Sequence, residues 1–106
     1  MESRKSPRVA VQLPLLFSGI EQAGDGIILN ISREGCLVTA EHVATPPAYV
    51  QLDMQLWEGQ EPVRIELAAV RWASESRFGL EYIKLDSTQK ERLASFMAML
   101  ERNSPL

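Results

Sequence analysis

Tyr49-Val50-Gln51-Leu52-Asp53-Met54-Gln55-Leu56-Trp57 decides the fold. Apolar and polar residues alternate through it with period two, the period of a strand with one buried face. Val50, Leu52, Met54 and Leu56 are predicted to face a core, and Gln51, Asp53 and Gln55 to face water. Working outward, Glu58 to Pro62 is a turn, after which Val63, Ile65, Leu67 and Ala69 resume the alternation. The phase slips at Ala68-Ala69-Val70, so that Val70 and Trp72 are predicted to share a face, as a β-bulge allows. Ser74 to Ser76 turns, and Phe78 to Ile83 is a further strand.

Upstream, Val9 to Phe17 is strand-like, with Pro14 restricting it to an edge or a bulge. Glu21 to Gly26 reads as a turn region punctuated by Gly24-Asp25-Gly26. In a strand from Gly26 to Ser32, alternation puts Ile27, Leu29 and Ile31 on the core face and Ile28, Asn30 and Ser32 on the other. Gly35 to Thr39 is a short apolar strand, and Ala44 to Pro47 a loop. Downstream the period changes. Asp86 and Gln89 stand at capping-box spacing, and Leu93, Phe96, Met97 and Leu100 follow at i, i+3, i+4 and i+7. This predicts an amphipathic helix over about 87–102. Six strands and one closing helix indicate a mostly β fold, a small antiparallel barrel or sandwich with a C-terminal α-helix.

The 106 residues suffice for one domain. The net charge of -3 argues against bulk nucleic-acid binding. Its distribution is uneven: residues 1–8 hold Arg4, Lys5 and Arg8 against Glu2, whereas the remainder holds 8 basic and 13 acidic groups. A basic arm on an acidic body points to a local anion site. The arm, broken by Pro7, reads as flexible. One cysteine, Cys36, permits no internal disulfide and reads as a small buried hydrophobe. No apolar run reaches membrane-span length and no signal core follows the N-terminus, so a cytoplasmic location without membrane insertion is expected. His42 stands alone, giving no metal-ligand cluster. No nucleophile-base-acid set, P-loop or spaced carboxylate pair appears, so no catalytic role is expected.

Two motifs carry the functional signal. Arg4-Lys5-Ser6-Pro7-Arg8 is R-x-x-x-R, and Asn30-Ile31-Ser32-Arg33-Glu34-Gly35 is N-x-S-x-x-G. Each has a bland reading. The arginines fit a solvated basic tail. Asn30 and Ser32 fit residues that cap a turn, and Gly35 a backbone at positive φ. Trp72 fits a core or barrel-rim residue, and Trp57 a structural or partner-facing one. In this order, with one strand between them, the two motifs resemble the signature of PilZ domains, bacterial receptors for cyclic di-GMP. Ala69-Val70-Arg71-Trp72, Phe78-Gly79-Leu80-Glu81-Tyr82 and the helix after Leu85 resemble that family too.

The resemblance implies a six-stranded antiparallel β-barrel over residues 9–106 behind the arm of residues 1–8. It implies cyclic di-GMP as ligand, with no other cofactor, and Arg4, Arg8, Asn30, Ser32 and Gly35 as ligand-binding residues. Lys5 is added for its charge, without arginine's planar fork, Arg33 as a phosphate contact and Trp72 as a stacking partner for guanine. The chemistry is consistent: arginine forks onto phosphate or onto guanine O6 and N7. Where the family often has a further arginine before the pair, this chain has Ser3, which leaves open whether one or two ligand molecules bind. A stand-alone receptor is expected, in which ligand orders the arm and an unidentified effector protein receives the signal. The competing reading is a PilZ-like adaptor that acts by protein contacts and binds no nucleotide.

Overall fold

The computed structural model describes residues 7–103. Six strands precede one helix: β1 (Val9–Ser18), β2 (Ala23–Ile31), β3 (Gly35–Thr39), β4 (Ala48–Met54), β5 (Val63–Ser74), β6 (Arg77–Lys84) and α1 (Ser87–Asn103). All pairings are antiparallel, and the order β1-β2-β3-β6-β5-β4 closes on itself as a barrel. Closure gives every strand two neighbours, although β1 meets β4 only from Leu15 to Ser18. The alternation read from residues 49–57 holds: Val50, Leu52, Met54 and Leu56 are buried. Regular strand ends at Met54, however, because Leu56 N–H turns back onto the Met54 carbonyl. Phe17 and Phe78 meet edge to face at 5.2 Å inside the barrel.

Three expectations need correcting. Gly24, Asp25 and Gly26 belong to β2, paired with Phe17, Leu16 and Leu15. The Phe17 ring lies against Gly24, so this glycine serves packing; the chain reverses earlier, where Gly19 N–H bonds to the Gln22 carbonyl at 2.6 Å. Second, the core set of β2 is Ile28 and Ile31, both fully buried. Ile27 is 40% exposed and Leu29 is only half-buried. A register shift against β3 between Ile28 and Asn30 changes the phase, so simple alternation carried back from Ile31 gives the wrong face. Third, Pro14 lies within a barrel strand that has neighbours on both sides. It is tolerated because the ladder to β4 starts only at Leu15. The Pro14 carbonyl accepts from Gln55 N–H just beyond that ladder, at 3.0 Å. The amide and carbonyl of one strand residue point the same way, so the missing N–H faces the ladder's end.

The helix buries Leu93, Phe96 and Met97. Gln89 N–H donates to Asp86 Oδ1 at 2.9 Å, the expected cap. The Gln89 side chain does not return the bond: its Oε1 accepts from Arg64 N–H at 3.0 Å, tying the helix start to β5. Trp57 is structural. It meets Phe96 edge to face at 5.3 Å and carries the Arg92 guanidinium 5.7 Å from its ring centroid. Arg92 also donates to the Glu61 and Pro62 carbonyls, fastening the β4–β5 loop to the helix. Among the described residues, no helix is long and apolar enough to cross a membrane.

Candidate functional site

Arg8, the last residue of the first motif, meets the second motif where β1 starts beside the end of β2. Ala10 pairs with Asn30 and Val9 with Ile31, which brings Arg8 alongside. Arg8 Nη1 donates to Asn30 Oδ1 at 3.1 Å, a bond across 22 residues of sequence. Arg4 and Lys5 lie outside the described residues.

The corner after Asn30 is built by Ser32. Its backbone N–H donates to the Gly35 carbonyl at 2.9 Å, while its Oγ accepts from the N–H groups of Glu34 and Gly35, each at 3.1 Å. Ser32 was expected to face outward with Asn30; it is buried, at 2% exposure, and only Asn30 keeps a half-exposed side chain. The reason is local: a short hydroxyl at a strand end satisfies turn amides that no ladder reaches. Ser32→Ala is therefore expected to cost about 1–3 kcal/mol, since two N–H groups lose their acceptor. Chemical denaturation of the variant measures this.

Gly35 does not supply a positive φ; among the described glycines only Gly59 does. Gly35 is required by closeness. It pairs with Glu81 on β6, and a Cβ on it would collide with the Leu80 carbonyl oxygen. Arg33 is drawn away from the motif by an ion pair with Glu101 on α1, and it does not line the cavity beside Asn30.

That cavity has a volume of about 530 Å³. Arg8, Asn30, Ser32 and Gly35 line it on the motif side, and Arg71, Trp72, Gly79 and Glu81 on the β5–β6 side. Trp72 is 45% exposed, and its indole lies across Gly79, where any side chain would strike the ring. The register shift between Val70 and Trp72 has a consequence the sequence reading missed. Val70 is buried, whereas Arg71 and Trp72, although consecutive, are both exposed. Val70 and Trp72 thus do not share a face. Arg71 Nε donates to Glu81 Oε1 at 2.6 Å. Arg71 and Glu81 stand in stretches that resemble the family but are not among the ligand-binding residues expected from the sequence; the phase slip before Arg71 is the available signal.

Beneath this floor lies Cys36, fully buried, whose thiol burial pushes up to about 12. The Tyr82 hydroxyl donates toward Met54 Sδ at 3.7 Å, and burial raises it well above the ordinary phenol range. Both groups are therefore neutral near pH 7, and the charge of the site comes from its rim. Among the described residues that rim carries Arg8 and Arg71 against Glu34 and Glu81, an even balance. His42 lies apart, in a separate depression with Phe17, Gln22 and Val43. Among the described residues no group of three His, Cys, Asp or Glu side chains converges as metal ligands would.

Comparison with known proteins agrees with this architecture. The family model described as PilZ domain matches residues 2–99. The Bacillus subtilis inhibitor of motility MotI/DgrA has a similar fold, with a TM-score of 0.80 at 20% identity over 100% of this chain. This chain spans 55% of that protein's length. The PilZ domain of CeSA from a cellulose-synthesizing bacterium is similar with a TM-score of 0.71 at 16% identity, over 91% of this chain and 99% of that one. At such identities the likeness concerns fold alone. No curated protein sequence matches the chain significantly.

Proposed function

The chain belongs to the PilZ domain family, and from that premise we propose that it binds cyclic di-GMP in the cavity between the Arg8–Asn30 contact and Trp72. The observation that carries this reading is the Arg8–Asn30 hydrogen bond, which ties the end of the first motif to the start of the second at the mouth of a cavity with an exposed tryptophan opposite. The division of labour follows from chemistry. The guanidinium of Arg8 has five donors and gives one to Asn30, so donors remain for a phosphate or a guanine edge. Trp72 offers a face for a base to stack on. Asn30 adds polar contacts without placing a charge beside an anion. Ser32 and Gly35 act indirectly, by holding the corner.

Charge explains the role of the arm. The described rim is balanced between two arginines and two glutamates, so a dianionic ligand needs further positive charge. Arg4 and Lys5 supply it in this proposal. Ligand then bridges arm and barrel, and ordering the arm costs entropy that lowers affinity while creating a switch. The composite surface of arm, ligand and barrel end is what an effector protein reads. Arg33 keeps its partner Glu101 and is a weaker candidate than the sequence suggested.

Titration calorimetry of the full chain with cyclic di-GMP tests the reading, with GTP and cyclic GMP as controls. Saturable binding of cyclic di-GMP alone is the expected result. Absence of binding would favour the adaptor alternative, in which the same barrel works by protein contacts.

A further inference from the structure

The bulge in β5 presents Arg71 and Trp72 side by side on the outer surface, and Glu81 grips Arg71 from the neighbouring strand. We propose that this Arg71–Glu81 pair reads the base of a guanine stacked on Trp72, and so sets the choice of guanine over adenine. The inference rests on the cyclic di-GMP reading given above.

Three observations lead to it. The first is position. Gly79 and Glu81 are two residues apart on the outer face of β6, with buried Leu80 between them pointing inward. The Trp72 indole lies across Gly79. Residues i and i+2 of a strand are about 7 Å apart. A base lying on the indole therefore extends its edge toward Glu81. Arg71, Trp72, Gly79 and Glu81 also line one cavity.

The second is chemical pattern. Guanine presents two acceptors, N7 and O6, followed around the ring by two donors, N1–H and the 2-amino group. An arginine beside a carboxylate offers donors and then acceptors in the same sequence. The arginine meets N7 and O6, the commonest specific arginine contact with a base. The glutamate meets N1–H and the 2-amino group. Adenine inverts the pattern at positions 6 and 1, placing a donor toward the guanidinium and an acceptor toward the carboxylate. Such mismatches leave polar groups unpaired, which is how specificity arises against an otherwise isosteric ligand.

The third is electrostatic. A lone carboxylate would repel a cyclic dinucleotide. Glu81 is neutralised by Arg71 at 2.6 Å, so it keeps its acceptor geometry without a net opposing charge. Both side chains are exposed, so the pair has no buried role in the fold that would account for it.

The experiment is a titration matrix on the full chain. Wild type, Glu81→Ala, Glu34→Ala and Arg71→Ala are each titrated with cyclic di-GMP, cyclic di-IMP and cyclic di-AMP. Cyclic di-IMP lacks only the 2-amino groups. Wild type is expected to prefer cyclic di-GMP to cyclic di-IMP by about tenfold, the scale of one bidentate base contact. Glu81→Ala is expected to bind cyclic di-GMP at least about tenfold more weakly and to lose that preference, because the acceptor for the 2-amino group is gone. Arg71→Ala should weaken both ligands alike. Glu34→Ala, which removes the other carboxylate of the rim, should keep the preference. If Glu81→Ala binds cyclic di-GMP as wild type does, or if the preference follows Glu34, the assignment is overturned while cyclic di-GMP binding stands. If wild type binds no cyclic dinucleotide, both readings fall together. Thermal melts accompany each variant, and all three should match wild type closely, as exposed substitutions do.

Discussion

Replacing Arg8 with alanine is expected to weaken cyclic di-GMP binding by about 2–5 kcal/mol, the range for stripping one partner from a desolvated charged pair. The barrel should scarcely notice. Arg8 is exposed, and its hydrogen bond to Asn30 is exposed as well. Stability should therefore change by no more than about 0.5 kcal/mol, as for other surface positions. Arg8→Lys is the sharper variant. Lysine keeps the charge but loses the planar fork, so partial rescue shows directional recognition and full rescue shows only diffuse attraction. Asn30→Ala completes the set. Removing the acceptor that orients Arg8 should cost less than removing Arg8 itself, because the guanidinium still reaches the ligand. Calorimetry and thermal melting on the three variants decide the matter. An Arg8→Ala protein that binds with unchanged affinity would move the site away from the motif and leave the cavity without its assigned cation.

Much of this molecule was legible in the chain because its strands alternate and its helix has a cap. Residues 49–56 and the Asp86 cap needed no tertiary information to read. What misled, on β2 and on β5, was neighbouring strands falling out of step. Alternation carried along β2 selected Ile27 and Leu29 for the core; the register shift near Leu29 gave the place to Ile28. The slip at residues 68–70 was visible in the sequence, yet its outcome was not, because the register against β6 decides which side chains leave the core. Hence Trp72 was found and Arg71 was not. Glu81 is harder still: it reads as the polar half of an ordinary alternation, and only the fold sets it beside Arg71. Arg33 erred in the other direction. Its motif position suggested phosphate, but Glu101 lies 68 residues further on and no local pattern announces it. Charged side chains are assigned by whatever the fold brings near, so site residues are less legible than core residues.

The glycine of the second motif makes the same point from the side of stability. Gly35→Ala is expected to destabilise the barrel by about 3 kcal/mol or more, at the upper end for overpacking a close contact. The added Cβ meets the Leu80 carbonyl oxygen, which is backbone within the β3–β6 ladder and has no rotamer to escape into. Relief requires the two strands to part at the Gly35–Glu81 pair. That movement also strains the Ser32 corner, whose four hydrogen bonds all involve residues 34 and 35. Gly59→Ala provides the comparison. Gly59 has φ of +81° with nothing within 4 Å of its absent Cβ, so only the left-handed backbone is penalised, by about 1–2 kcal/mol. Urea denaturation of both variants should therefore rank Gly35 well above Gly59, and equal midpoints would show that β6 yields to the methyl group. Ligand then separates fold from recognition. If Gly35 only holds the corner, the folded fraction of Gly35→Ala keeps Arg8, Asn30 and Trp72 and still binds. Cyclic di-GMP at 100 times its Kd should then restore about 2.7 kcal/mol by mass action, most of what the methyl group removed. A variant that binds no ligand even when folded would instead place Gly35 against the nucleotide itself.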